Sequence, residues 1–438
     1  QPPAAPARSV ARAHREERVT APNAPVLQAV GGIAMVRSTL IGSISALLCW
    51  HGLAAAQMSH DHAPRDTCAE PALRCASKVT PTFAPDGGLW LAWMAAGRVW
   101  TAHSHDLGKS LSPPVPAFAE PRDLDWGPDA RPKIAVDREG RVFVAFAVFK
   151  DKAFNGRVFL ARSTDAGHSF AAPLAVTADP VSQRFEAIAL DSDGSLFLVW
   201  LDKRNRIPAK ARNEDYPGAA LAFTWSDDHG KTIRGTQIAH DNTCECCRLG
   251  VAFAGPGRPV VLFRNIFAGS VRDHAITTFI DRWTPGPIHR VSVDDWKTDV
   301  CPHHGPSLAV SADGRYHVAW FTGGAVRKGL FYASSSDRGR TFSAPMAFGE
   351  NDRNPAHPYL LAAGHRLWLA WKEFDGEETS VWLMHSADAG RTWSAPRIAA
   401  ETADESDHPV LVSNGTQAFL SWQARLEGYR LIPLEAAR

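Results

Sequence analysis

One eight-residue pattern, Ser-x-Asp-x-Gly-x-[Ser/Thr]-apolar, recurs five times and restricts the fold more than any other feature. The copies are SHDLGKSL from Ser104, STDAGHSF from Ser163, SDDHGKTI from Ser226, SSDRGRTF from Ser335 and SADAGRTW from Ser386. Each follows an apolar, strand-like run such as RVFLAR or GLFYAS. A tight turn explains the spacing. The Asp side chain caps backbone amides, the Gly takes a positive φ, and the last apolar residue packs beneath the turn. Asp106, Asp165, Asp228, Asp337 and Asp388 are therefore read as structural residues.

A second pattern repeats seven times: an apolar run that ends in an aromatic at Trp93, Phe146, Trp200, Phe263, Trp320, Trp371 and Trp422. A Gly-containing turn precedes each run, and another strand precedes that turn. The unit is strand, Gly turn, strand with an aromatic end, loop, strand, Asp turn, strand. Its period of roughly 50 residues suits a four-stranded propeller blade. First strands start near Pro81, Pro132, Glu186, Leu249, Pro306, Pro358 and Pro409. The expected fold is an all-β propeller of four-stranded antiparallel blades, seven of them, with six as the alternative. The fourth unit has no recognisable Asp turn. The seventh stops after about three strands, and residues near the N-terminus are expected to supply its outer strand.

The Asp turns and aromatic strands resemble the Asp-box (BNR) repeats of the sialidase-like β-propeller superfamily. The resemblance covers residues 75–438 and implies the fold. It also implies that the Asp turns lie at the periphery, away from any site. A sialidase needs an arginine triad for its carboxylate substrate, a Tyr–Glu pair and an acid/base carboxyl. Arg131, Arg184 and Arg248 precede first strands, with Asp129 and Glu186 nearby and Tyr359 at the sixth. They are the candidate catalytic residues of an exo-glycoside hydrolase, with ordinary ion pairs as the competing explanation. The family's Arg-Ile-Pro motif occurs at Arg206-Ile207-Pro208, in the third unit rather than before the first.

The N-terminus reads as an address. Residues 1–34 are Pro/Ala/Arg-rich and are read as upstream sequence or a leader. Residues 35–56 carry a short basic start, an apolar run and Ala54-Ala55-Ala56, the form of a secretory signal. A periplasmic or secreted location is the expectation, without a membrane span after signal removal. Residues 57–74 form an arm with Met58, His60 and His62, a possible metal-capture tract. Cys68 and Cys75 are expected to pair in a local disulfide. The formal net charge of +1 offers no case for nucleic acid.

The strongest chemical signal is DNTCECCRLG at 241–250 and its echo DVCPHHGPS at 299–307. With the fourth and fifth first strands in register, Cys244 aligns with Cys301, Cys246 with His303 and Cys247 with His304. His357 and His408 hold related positions before the sixth and seventh strands. Thiolate with imidazole selects copper, then zinc. Two disulfides among Cys244, Cys246, Cys247 and Cys301 are the alternative. They would leave the histidines unexplained, and a bridge between the adjacent pair would be strained. His103, His105 and His168 lie at Asp turns and are expected to face solvent. No Cys-x-x-Cys-His occurs, so haem is not expected, and no nucleotide is either. The function read from these residues is metal homeostasis, delivery or assembly, with a metal-trafficking partner. A glycoside hydrolase and a non-catalytic, cystine-stabilised binding module are the alternatives.

Overall fold

The seven aromatic-ended runs are seven second strands, and every terminal aromatic is 0–1% exposed. These positions come from a computed structural model that describes residues 71–434 except 128, 301 and 426. The segments read above as a leader and a signal, together with Met58, His60, His62, Cys68 and Cys301, fall outside the described residues.

Among the described residues, twenty-seven strands form six antiparallel sheets. Five sheets hold one unit each. The eight-stranded sheet holds units three and four, joined where Thr243 pairs with Asn265. The count of seven units therefore stands. First strands are Ser77–Phe83, Lys133–Val136, Gln183–Leu190, Gly250–Phe253, Ser307–Val310, Ala356–Ala363 and Val410–Ser413. Each lies beside the next, and the seventh lies beside the first, so the seven close a ring.

A strand that is apolar on both faces needs a neighbour on each side, and the ring supplies it. The apolar cores sit between units. Trp90 and Met94 of unit one pack with Val144 and Phe146 of unit two. Leu330 of unit five packs with Leu369 and Trp371 of unit six. Val79 and Trp93 of unit one meet Tyr429 and Leu431 of unit seven. A buried indole also needs an acceptor. Trp200, Trp320 and Trp371 donate to Asp202, Asp294 and Glu373, and Trp93 donates to the carbonyl of Pro71.

All five Asp turns form as expected. In the first, Ser104 Oγ donates to Asp106, and the amide and hydroxyl of Ser110 donate to the same carboxylate. These bonds, the Ser110 hydroxyl first, hold Asp106 at about 2. The box glycines take φ between +74° and +86°. The residue before each is also left-handed, as at Ala166 and His229, which the sequence pattern did not signal. Unit four turns on Asp281 instead, which accepts the amides of Trp283 and Thr284. Among the described residues unit seven has three strands. The short 3-10 turn Leu73–Cys75 packs against its outer strand Gly428–Pro433, and Cys75 is disulfide-bonded. No helix of the described residues is long and apolar enough to cross a membrane.

Candidate metal centre

The outer strand of unit three, Gln237–Thr243, ends against the second strand of unit four. The next amide, Cys244, donates to the carbonyl of Arg264 at 2.8 Å. This one extra backbone bond aims the Cys-Glu-Cys-Cys loop into the space between the two units. Cys244, Cys246 and Cys247 are 1–2% exposed and pack with Phe185, Phe263 and Ile266. Glu245 points away, to Lys203 at 2.7 Å and Arg206 at 3.6 Å.

None of the three thiols is in a disulfide, and their sulfurs lie within 4.8 Å of one another. Cys244 and Cys246 approach to 3.6 Å. Two guanidiniums serve the cluster. Arg272 donates to Cys244 Sγ at 3.4 Å, and Arg264 lies beside it, stacked on Trp296. Hydrogen bonding from Cys246 and Cys247, then the charges of Arg264 and Arg272, outweigh burial and draw Cys244 well below the usual thiol range. Cys247 is pushed up, chiefly by its bond to Cys244. One member of the trio is thus disposed to be thiolate while its neighbours donate to it.

A second group occupies the same mouth. Asp129, His357 and His408 also place ligand atoms within 4.8 Å of one another. His357 stacks on His408 at 3.3 Å and on His304 at 5.0 Å, and His304 stacks on Phe321 at 4.2 Å. Burial keeps these rings neutral. It lowers His357 to about 4 and takes His304 and His408 well below their ordinary value. Asp129 is fully buried and accepts the amides of Gly305 at 2.7 Å and Arg248 at 3.3 Å. Burial opposes its ionisation, but His357 and Arg248 outweigh that and hold it far below the carboxylate range.

The described members of the cluster expected from the register are therefore divided. The thiols form one group, and His304 belongs with His357 and His408. His303 takes φ +50° with its ring 6.4 Å from Phe185, in the core that also holds the thiols. Arg248 is not the cation beside the thiols. Its guanidinium reaches Asp129 and the carbonyls of Pro306 and Pro358, so Arg272 and Arg264 take that place. Neither arginine carried a sequence signal, because both lie inside strands of unit four. His274 was missed for the same reason. It is 2% exposed, and neither ring nitrogen has a hydrogen-bond partner.

The glycosidase set is committed elsewhere. Arg131 pairs with Asp407 at 2.9 Å, and Arg184 grips Asp125 at 2.6 and 2.9 Å. With Arg248 on Asp129, each member of the expected triad already holds a buried carboxylate. Glu186 and Lys133 perturb each other electrostatically. Tyr359 is half-buried against the core of units six and seven, where burial raises its phenol. Arg206-Ile207-Pro208 opens the short surface helix Arg206–Ala211, with Ile207 62% exposed.

No family model and no curated protein matches the sequence. Solved structures do match in fold. An ulvan lyase of polysaccharide lyase family PL25 has a TM-score of 0.50 and 10% identity, covering 82% of this chain and 93% of its own. Polysaccharide lyase Uly1 has a TM-score of 0.50 and 8% identity, covering 84% and 91%. The Hadza microbial sialidase Hz136 has a TM-score of 0.45 and 16% identity, covering 82% and 66%. The chain shares the β-propeller fold of the two polysaccharide lyases. Identities this low carry the fold and nothing of the activity.

Proposed function

We propose that this propeller binds a transition metal ion through Cys244, Cys246 and Cys247, copper as Cu(I) first and zinc second. The observation that carries the reading is the meeting of three buried, unbridged sulfurs within 4.8 Å of one another. Three thiolates suit a soft monovalent ion, and a low-dielectric pocket needs countercharge. Arg272 and Arg264 supply it.

In this reading the chain is exported to the periplasm or beyond, and its role is metal homeostasis, delivery or assembly with a trafficking partner. A bound ion would protect thiols that an oxidising compartment otherwise bridges. Asp129, His357 and His408 offer a harder donor set in the same mouth, better matched to zinc or Cu(II). The glycoside hydrolase reading is weakened by the pairing of Arg131, Arg184 and Arg248.

The test is competition for Cu(I) against a chromogenic chelator under reducing conditions. The wild-type chain is expected to hold one Cu(I) at the thiols. Cys246→Ser with Cys247→Ser is expected to lower that affinity by at least a hundredfold, with circular dichroism unchanged. A double variant that binds as tightly as wild type overturns the assignment.

A further inference from the structure

Three first strands carry an extra residue near their entrance. In unit six Ala356 pairs with Lys372 and Tyr359 with Ala370, so His357 and Pro358 stand against one residue of the partner strand. The same bulge holds Lys78 in unit one and Phe185 in unit three, and all three residues take a left-handed φ of +51° to +57°. A bulge re-aims a side chain. In unit one it directs Lys78 to Asp407, at 3.5 Å. In unit six it directs His357 to Asp129 of unit two and His408 of unit seven.

His357 is 9% exposed, and no hydrogen bond occupies its Nδ1. That atom lies 3.7 Å from Asp129 Oδ1. Two donors each about 2.1 Å from a tetrahedral ion lie about 3.4 Å apart. The separation suits two ligands of one ion better than a hydrogen bond. Asp129 has room for that role, since a carboxylate accepts at about four lone pairs. The amides of Gly305 and Arg248 take Oδ2, and Arg248 Nη1 takes one lone pair of Oδ1. These bonds fix the carboxylate as partners of a metal ligand do. His408 stacks on His357 with centroids 3.3 Å apart, closer than the roughly 4.5 Å that ring pairs prefer, so packing alone does not explain the approach. His408 is half-buried, so solvent reaches the cluster from its side. Among the described residues no fourth histidine, cysteine or carboxylate joins the three.

We infer that Asp129, His357 and His408 hold one divalent ion, Zn(II) first, with a fourth position left open at the channel mouth. Two imidazoles and one carboxylate with an open place are the ligands of a water-activating zinc, whereas a structural zinc is closed by four. Asp407 pairs with Arg131 and Lys78 beside His408, which limits their repulsion of the ion. Arg248 and Lys372 also act on the cluster, and their charges favour an anion such as hydroxide in the open place. The site shares no donor with the thiol trio, so it goes beyond the Cu(I) reading and does not depend on it.

The experiment uses Co(II) as a spectroscopic stand-in for Zn(II), in the full chain with the thiols intact and with Cys246→Ser/Cys247→Ser. Both are expected to give visible d–d bands without thiolate charge transfer. Zn(II) should displace them, and azide should shift them by entering the open place. His408→Ala is expected to weaken Co(II) binding at least about tenfold, since loss of even a ligand's hydrogen-bond partner costs that much. His304→Ala is the control, because His304 stacks on His357 without belonging to the donor group, and it should bind as wild type does. Unchanged affinity in His408→Ala overturns the site. So does an equal loss in both histidine variants, which would make ring packing the cause. Bands indifferent to azide overturn the open position. Co(II) that binds only when the thiols are intact would sit at the sulfurs and overturn this inference alone, because the Cu(I) competition reads the thiols separately.

Discussion

Arg248 holds Asp129 across the channel mouth, Nη1 to Oδ1 at 3.2 Å, while its other nitrogens bind the carbonyls of Pro306 and Pro358. Asp129 precedes the second first strand, Arg248 the fourth and Pro306 the fifth, and Pro358 lies within the sixth. One ion pair thus ties four units together at the axis. Removing the cation would leave a fully buried carboxylate, which costs about 3–5 kcal/mol. Arg248→Met is expected to lower the unfolding free energy by that order in guanidinium denaturation. Adding Asp129→Asn should recover part of the loss, because the stranded charge is then gone. Equal stability of wild type and Arg248→Met would show that the pair adds nothing.

Arg272 bears on the thiol site through charge. Three thiolates around one Cu(I) carry a net charge of −2, and Arg272 at 3.4 Å from Cys244 is placed to offset it. An opposite charge at this range is worth one unit or more of log affinity, about tenfold. Arg272→Met is expected to weaken Cu(I) binding by about that factor in the chelator competition, and Arg272→Lys by less. If the methionine variant binds as tightly as wild type, the guanidinium serves packing only.

Gly230 of the third Asp turn can be tested against Gly415, which lies in the turn between the first and second strands of unit seven. Gly230 has φ +74°, and a Cβ there would come within 2.8 Å of the Phe143 ring, which is fully buried. Gly415 has φ +91° and nothing within 4 Å. Left-handed backbone alone costs an alanine about 1–2 kcal/mol, and overpacking adds about 1–3 kcal/mol. Gly230→Ala should therefore destabilise clearly more than Gly415→Ala in thermal denaturation. Equal losses would mean that the Asp turn shifts freely off the ring of the preceding unit.

What the sequence made legible follows from periodicity. Terminal aromatics such as Trp200 and Trp371, and box aspartates such as Asp337, repeat because the same local physics repeats in each unit. Register along the units also placed Cys244, Cys246 and Cys247 together at the entrance to the fourth first strand. It did not separate His304 from the thiols, because which way a side chain turns at a strand entrance depends on the units on either side. Arg272, Arg264 and His274 were not legible at all. They sit in runs that read as ordinary strand, and only the approach of unit three to unit four turns them toward the sulfurs and the axis. His103 misled for a related reason: expected to face solvent, it is half-buried against Trp90, which lies on another strand.

The last prediction concerns Glu186, which is buried, and Lys133, which is half-buried, on adjacent first strands. Burial is the main perturbation for both, raising Glu186 to about 7 and lowering Lys133 to about 8. For Glu186 the folded value lies above the unfolded one, so the fold binds the proton more tightly. That contribution is fully present below about pH 4.5, the unfolded value, and is lost as pH rises through about 7. For Lys133 the fold releases the proton early, so stability is recovered between about pH 8 and 10.5. Unfolding free energy should therefore fall from pH 5 to 7 and rise again above pH 8, superposed on the contributions of other groups. Glu186→Gln removes the first titration and should flatten the decline between pH 5 and 7. Replacing both residues with apolar side chains of similar size, Lys133→Met with Glu186→Leu, should hold or raise stability at neutral pH, because an imperfectly paired buried charge couple is dispensable to a packed core. Denaturation series at these pH values decide it. An unchanged slope in Glu186→Gln would mean that the carboxyl is already ionised and solvated in the channel.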